Sequence, residues 1–195
     1  MLIFASKIIL KSIDFIYSGQ ESHIEHTSYT WTAPSNIALI KYWGKKEPQL
    51  PANPSISFTL HNCKTETTLS LVKKKKIDLN FLIDVFVDGN LNEDFKPKIV
   101  QFFERIVFYQ PFLKDYQFKI ETSNTFPHSS GIASSASGMA ALAMCLMSLE
   151  QDLNPKMTLD YFYKKASFLA RLGSGSACRS IESELVVWGK KEKKK

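Results

Sequence analysis

The sequence lacks the residue patterns of several common protein classes. Its three cysteines (Cys63, Cys145 and Cys178) are an odd number without metal-site spacing, which argues against a disulfide framework and favours the cytoplasm. Its four histidines form no HExxH motif. No apolar run reaches the roughly 20 residues of a membrane span, and the start, MLIFASKIILK, lacks the continuous apolar region and cleavage site of a signal peptide. We therefore expect a cytoplasmic protein without a membrane partner.

Positive charge is confined to two short runs. The formal net charge is +6, but the lysines at 73–76 and the tail at 190–195 together exceed this value, so the rest of the chain is slightly acidic. No aromatic residues are interleaved with these lysines to form a platform for stacked bases. The charge therefore predicts no nucleic-acid partner, although RNA binding through the two runs is the alternative it leaves open.

The chain of 195 residues, 44% of them hydrophobic, is long enough for one domain with a sizeable core. Residues 1–27 have no clear periodicity and predict a loosely attached arm, 28–188 form the predicted domain, and 189–195 are a lysine-rich tail. Alternation and helical spacing predict strands at 28–33, 37–40, 56–60, 65–72, 77–87, 116–122 and 184–188, and helices at 97–109, 139–149 and 159–172. The strands between 56 and 87 suggest an antiparallel meander, and Pro34 suggests a break or bulge.

The stretch at 127–138, PHSSGIASSASG, lies between a predicted strand and a predicted helix. The first turn of a helix has unpaired N–H groups and the positive end of the helix dipole, and Gly131 and Gly138 permit close approach, so a phosphate chain suits this segment. The same residues also fit a serine-rich loop in which one serine caps an ordinary helix. It is neither a Walker A loop nor a GxGxxG motif. The residues alone leave both interpretations open.

Two further segments have anion-binding character. Residues 41–46, KYWGKK, place lysines beside aromatic rings and a glycine, which fits an anion clamp or a strand end whose lysines extend into solvent. Residues 171–179, RLGSGSACR, form a second small-residue loop followed by Arg179, whose guanidinium suits a carboxylate or a phosphate. The alternative for this second segment is a flexible turn with a surface arginine.

Taken together, the three segments resemble the diphosphomevalonate decarboxylase family. Residues 33–45, APSNIALIKYWGK, are similar to its N-terminal signature, and residues 173–180, GSGSACRS, to its substrate loop. Residues 127–136 fit the phosphate-loop pattern of the wider GHMP kinase superfamily. The resemblance covers about residues 28–188 and implies an α+β fold of two layers. This fold is the N-terminal half of a GHMP kinase fold, like domain 2 of ribosomal protein S5.

The resemblance implies an enzyme of the mevalonate pathway of isoprenoid biosynthesis. The family couples ATP hydrolysis to decarboxylation of (R)-5-diphosphomevalonate, which gives isopentenyl diphosphate, ADP, phosphate and carbon dioxide. Phosphorylation turns the tertiary 3-hydroxyl into a good leaving group, and loss of the carboxylate then supplies the electrons. The expected small-molecule partners are ATP, Mg²⁺ and 5-diphosphomevalonate, and a homodimer is the expected assembly.

The resemblance also assigns roles to residues. The predicted catalytic residues are Lys41, beside the transferring phosphate and the 3-hydroxyl, and Arg179, which holds the carboxylate. The predicted ATP-binding residues are Ser129, Ser130, Gly131, Ile132, Ala133, Ser134, Ser135 and Ala136. The predicted substrate-binding residues are Tyr42, Trp43, Gly44, Lys45, Ser174, Gly175, Ser176, Ala177, Cys178 and Arg179. No protein ligand for Mg²⁺ is predicted, because the phosphate loop has no acidic residue.

The family's second half carries a catalytic aspartate in a DAGPN-like motif, and these 195 residues contain no such motif. Glu182, Ser183 and Glu184 stand where many members have glycines, and the chain then reads GKKEKKK. We therefore expect a truncated or frame-disrupted gene product without the C-terminal half. The alternative functions are an inactive fragment that only binds nucleotide or diphosphate, a related GHMP kinase, and a decarboxylase that acts on a monophosphate.

Overall fold

The computed structural model describes residues 12–19, 24–41, 43–46, 50–75, 80–127, 131–181 and 184–189. Its strands and α-helices, in chain order, are β1 (His26–Ile40), β2 (Lys45–Lys46), β3 (Leu50–Pro51), β4 (Ser55–Lys73), β5 (Leu82–Val87), β6 (Asn90–Leu91), α1 (Lys96–Ile106), β7 (Tyr116–Asn124), α2 (Ser134–Leu153), α3 (Leu159–Gly173) and β8 (Leu185–Trp188). Short 3-10 helices span Ser12–Phe15, Pro111–Asp115 and Gly175–Ser180.

The main sheet is organised around β4, the longest strand. The strand order is β1-β4-β7-β5-β6, and β8 pairs with the first residues of β4. Along β4, Leu69 and Leu71 are buried against the helices, whereas Thr68 and Ser70 lie on the opposite face, where they bond to Thr30 and Ser28 of β1. This alternation places the core on the helix side of the sheet.

The predicted meander is wrong in two respects. The strands predicted at 56–60 and 65–72 are one continuous strand, β4, and β5 pairs in parallel with β7 rather than antiparallel with β4. Helix α1 lies between β5 and β7 in the chain and provides the crossover that a parallel pair needs. The irregularity predicted at Pro34 is confirmed, since the register with β4 shifts between Pro34 and Ser35.

Helix α2 is the central element of the helical layer. It packs on β1, β4 and α3, and Ala140, Ala141 and Ala143 are fully buried along it. Small side chains at these positions let the helix lie close to the sheet. The helix begins at Ser134, earlier than the predicted 139. The sequence did not indicate this first turn, because the residues SSASG carry no apolar periodicity. Among the helices described here, none combines the length and apolarity that crossing a membrane requires.

The part of the N-terminal arm that the structure describes is packed against the domain. The Phe15 side chain is buried and stacks on Phe168 of α3, with ring centroids 4.8 Å apart. The Tyr17 hydroxyl donates to the Leu153 carbonyl, at 3.3 Å. The expectation of a loosely attached arm is therefore wrong for residues 12–19, because aromatic burial outweighs the lack of local periodicity.

Candidate functional site

The loop before α2 delivers the first turn of the helix without a side-chain cap. Gly131 has φ +79° and Ala133, the residue before the helix, has φ +36°. The left-handed conformation costs a non-glycine residue roughly 1–2 kcal/mol. The cap position is Ala133, which has no side chain that accepts a hydrogen bond from the first turn, so the serine cap that the sequence allowed is wrong. A helix start without a side-chain cap is the kind of site that binds anions.

Two hydroxyl groups attach this loop and the first turn to the sheet. The fully buried Ser35 hydroxyl donates to the Ile132 carbonyl, at 2.5 Å. Ser137, in the first turn, bonds through its hydroxyl to that of Thr65, at 2.6 Å, and Thr65 also donates to the Asn124 side chain. The predicted ATP-binding residues from Gly131 to Ala136 therefore lie together at one end of α2. Ser129 and Ser130 lie outside the described residues.

A cavity of about 170 Å³ adjoins the start of α2. Ser134, Ser135, Gly138, Met139 and Leu142 line it on the α2 side, and residues of the strands and of the start of α1 line the rest. Its apolar walls include Val85, Phe95, Ile99, Ile120, Met139 and Leu142, and its polar atoms come from Thr65, Thr67, Thr122, Asn124 and Lys98. An apolar pocket with a few polar groups beside an uncapped helix start suits a molecule with a flat apolar part and an anionic part.

The second small-residue loop folds as the 3-10 helix Gly175–Ser180 and is packed against the sheet. Arg179 is 4% exposed, donates to the Ser55 hydroxyl at 2.7 Å, and lies over the Trp188 ring at 5.5 Å. The alternative of a flexible turn with a surface arginine is therefore wrong. The Asn36 amide donates to the Ser180 hydroxyl, at 2.7 Å, and so links β1 to this helix.

The predicted substrate-binding residues of this loop lie together. They are Ser174, Gly175, Ser176, Ala177, Cys178 and Arg179. Burial raises the pKa of the Cys178 thiol to about 11, although the positive charges of Arg171 and Arg179 act in the opposite direction. The thiol is thus neutral near pH 7 and does not offset the positive charge of Arg179.

The KYWGK segment follows directly from the end of β1. Asn53 holds its backbone, because it accepts from the Trp43 N–H at 2.8 Å and donates to the Lys41 carbonyl at 3.2 Å. The side chains of Lys41 and Trp43 are exposed, the latter by 89%. Gly44 accepts from the Ala52 N–H. Tyr42 and the side chain of Lys45 lie outside the described residues.

The link between KYWGK and Arg179 runs through Ser55. The Ser55 hydroxyl donates to the Ile40 carbonyl, at 2.6 Å, and accepts from Arg179. The structure therefore brings the backbone before Lys41 close to Arg179. Sequence reasoning gave no role to Ser35, Asn36, Ser55 or Thr65. The available signal was the presence of small polar residues inside strand patterns that are otherwise apolar.

The mixed sheet, the buried helix α2 and the glycine-containing loop before it define the N-terminal half of a GHMP-type fold. The chain matches the family described as "Diphosphomevalonate decarboxylase-like N-terminal domain" over residues 33–195, and it belongs to this family. The family resemblance of the three motifs is thereby confirmed.

Named relatives agree with this assignment. The chain is 35% identical over 170 residues to diphosphomevalonate decarboxylase from Ganoderma lucidum, covering 82% of this chain and 40% of that protein. The structure of mevalonate diphosphate decarboxylase from Staphylococcus aureus has a TM-score of 0.68 and 35% identity, covering 84% of this chain and 46% of the other. The enzyme from Enterococcus faecalis has a TM-score of 0.65 and 37% identity, with coverages of 84% and 48%. This chain thus spans less than half the length of these relatives.

Proposed function

We propose that this chain provides the nucleotide- and diphosphate-binding part of an ATP-dependent decarboxylation. The substrate is (R)-5-diphosphomevalonate and the product isopentenyl diphosphate. The observation that carries this proposal is the arrangement at one edge of the domain, where an uncapped helix start adjoins an apolar cavity. The buried Arg179 donates to Ser55 of β4, and the same strand lines the cavity with Thr65 and Thr67. Both ends of the substrate and the phosphates of ATP are anionic, so a site for this reaction needs several such groups.

ATP would place its phosphates at the first turn of α2 and its base in the adjoining cavity. The N–H groups of Ala133, Ser134 and Ser135 would donate to phosphate oxygens, and the hydroxyls of Ser134 and Ser135 would add donors. The apolar cavity walls would cover the faces of the base, and Lys98 would lie near the phosphates or the ribose. A solved complex of a relative with 37% identity, MDDEF, contains MVAPP, AMPPCP and magnesium.

The substrate would lie between the KYWGK segment and the 3-10 helix at 175–180. Arg179 would hold the carboxylate with its guanidinium, in an orientation set by Ser55 and Trp188. Lys41 would balance charge beside the transferring phosphate, and Tyr42, Trp43, Gly44 and Lys45 would hold the diphosphate with Ser174 and Ser176. Holding both reactants in line supplies much of the rate enhancement in phosphoryl transfer.

Magnesium would reach this site with the nucleotide. Among the described residues, no three His, Cys, Asp or Glu side chains lie close enough to form a metal site. The ion would therefore be held mainly by phosphate oxygens, with a hydroxyl of Ser134 or Ser135 as the nearest protein donor. When bound, magnesium supplies neutralisation of phosphate charge. The three unpaired thiols support the cytoplasm as the compartment, and a homodimer stays a prediction of the family resemblance.

A second candidate function is binding of ATP and diphosphate without turnover. The chain covers 40% of the length of the Ganoderma relative, and the residues carried over here bind and orient reactants. Both candidates share the same site, and they differ only in whether ADP and carbon dioxide are formed.

Turnover with ATP and 5-diphosphomevalonate tests the proposal. The assay is run on the 195-residue chain alone and with a polypeptide that corresponds to the remaining length of a relative. Arg179→Gln should reduce turnover at least about 100-fold, because a charge-assisted contact to the carboxylate is lost, with ATP affinity unchanged. Lys119→Gln is the control for loss of one positive charge, since Lys119 pairs with Glu121 on β7, at 2.9 Å, and belongs to none of the predicted binding segments. Turnover that survives Arg179→Gln contradicts the assigned role, and ATP binding without turnover in either assay favours the second candidate.

A further inference from the structure

The Ile132–Ala133 peptide group lies in the loop directly before α2, where two residues have a positive φ. They are Gly131, at φ +79°, and Ala133, at φ +36°. Its carbonyl oxygen accepts a hydrogen bond of 2.5 Å from Ser35 of β1. Ser35 is fully buried and Ile132 is half-buried, so the donor side of this contact lies inside the domain.

The hydrogen bond to Ser35 fixes both ends of this peptide group. A peptide group is planar and trans, so its C=O and N–H point in opposite directions. Since the Ile132 carbonyl points to the buried Ser35 of β1, the Ala133 N–H points away from Ser35. An anion that reaches the first turn of α2 from that side would meet this N–H.

Ala133 on its own would favour the opposite orientation. Rotation of the peptide group changes ψ of Ile132 and φ of Ala133 together, and it would release Ala133 from the left-handed region that disfavours side chains with a Cβ. Among the described residues, the Ser35 hydroxyl is the one side-chain donor to this carbonyl. The second hydroxyl attachment, between Thr65 and Ser137, acts one turn later and leaves this peptide free to rotate.

We propose that Ser35 is a positioning residue for phosphate binding, which holds the Ala133 N–H toward the anion by fixing the Ile132 carbonyl. This inference rests on the proposed nucleotide function of the loop. It deepens that function by assigning one donor and the residue that orients it. Ser35 touches no reactant and acts only through the loop.

Affinity of the full chain for three probes tests this role: ATP, inorganic tripolyphosphate and adenosine, each measured by calorimetry. Ser35→Ala should weaken ATP and tripolyphosphate about two- to tenfold, which is the worth of one hydrogen bond, and leave adenosine unchanged. Ser35→Thr keeps a hydroxyl and should restore affinity for both phosphates. Ser148→Ala is the control, because it removes a bond between α2 and Trp31 of β1, at 2.8 Å, without touching the loop.

A second variant separates positioning from general loosening of the structure. Glycine adopts positive φ without the cost that alanine has, so Ala133→Gly removes the tendency of the peptide to rotate. In the Ala133→Gly background, Ser35→Ala should therefore lose less affinity for tripolyphosphate than in the unaltered chain. This coupling is measured as a double-mutant cycle.

The outcomes are distinguishable. If the unaltered chain binds neither ATP nor tripolyphosphate, the proposed nucleotide function fails and the role of Ser35 with it. If the unaltered chain binds both and Ser35→Ala binds them equally well, the nucleotide function stands and the role of Ser35 is overturned. Equal losses for adenosine and tripolyphosphate, or equal losses in Ser148→Ala, also overturn it, since they indicate a merely structural effect.

Discussion

The two ends of helix α2 differ in how their polar groups are satisfied. At the N-terminal end, the helix has no side-chain cap and its first turn lines a cavity. At the C-terminal end, Glu150 is 1% exposed, pairs with Lys165 at 2.6 Å and accepts from the Gln110 amide at 2.8 Å. The open end leaves donors for a ligand, and the closed end satisfies its charges within the protein.

The N-terminal end of α2 is the candidate binding site, whereas its C-terminal end stabilises the fold. Lys165 is fully buried and also donates to the Tyr109 carbonyl, so the pair joins α2 and α3 to the turn after α1. Burial raises the pKa of Glu150 and lowers that of Lys165, although each partner acts against the shift of the other. Both pKa shifts favour the neutral forms, which means that burial of these two charges is costly. Each charge therefore depends on its partner.

Loss of one partner at the closed end should have the largest effect. Lys165→Met leaves the Glu150 carboxylate buried without its cation, and we expect a loss of about 3–5 kcal/mol in the free energy of unfolding. Urea denaturation measures this value. Removal of both charges, in Glu150→Gln with Lys165→Met, should recover a large part of the loss.

A neighbouring pair supplies the control. Lys164 and Asp160 are also 2.6 Å apart, but their side chains are 29% and 71% exposed. Lys164→Met should cost at most about 1 kcal/mol, because water screens this pair. Equal losses for Lys164→Met and Lys165→Met would mean that burial of the Glu150–Lys165 pair does not increase the cost of removing one partner.

The loss in Lys165→Met should depend on pH. Burial already raises the pKa of Glu150 above its ordinary value of 4.5, and removal of Lys165 raises it further. When the pKa of Glu150 is higher in the folded than in the unfolded protein, the native state binds the proton more tightly. The free energy of unfolding therefore decreases as the pH rises from the unfolded toward the folded pKa. The deficit relative to the double variant should therefore be largest near neutral pH and shrink toward about pH 5. A deficit that is constant with pH would show that Glu150 is not the cause.

Replacement of two glycines by alanine should change stability by smaller amounts and in opposite directions. A Cβ added at Gly173, the last residue of α3, would lie 2.8 Å from the Met139 sulfur and 2.9 Å from the Phe102 ring. Gly173→Ala should therefore destabilise by about 1–3 kcal/mol. A Cβ at Gly138, near the open end of α2, would meet only Thr65 at 3.9 Å, so Gly138→Ala should stabilise by about 0.5–1 kcal/mol. Thermal unfolding of both variants checks the signs, and two changes of the same sign would contradict this description of the packing.

The sequence indicated the open end of α2 far better than the closed end. Phosphate-loop residues are neighbours in the chain, so the motif at 127–138 was enough to place Gly131 to Ala136 next to a helix start. Glu150 and Lys165 lie on different helices, and no local pattern marks them as partners. Likewise, alternation predicted β5 and β7 as strands, but their parallel pairing depends on how α1 crosses the sheet. Ser35 carries no periodic signal, because its role depends on the carbonyl of a residue 97 positions away.

Amide hydrogen exchange with and without ATP and magnesium tests the central claim, which is that the open end of α2 is the nucleotide site. ATP should slow exchange at residues 133–137 and leave residues 148–153 unchanged. Ser35→Ala should reduce the protection at 133–137. Binding of ATP with no protection at 133–137, or with protection elsewhere only, would show that the nucleotide site lies elsewhere.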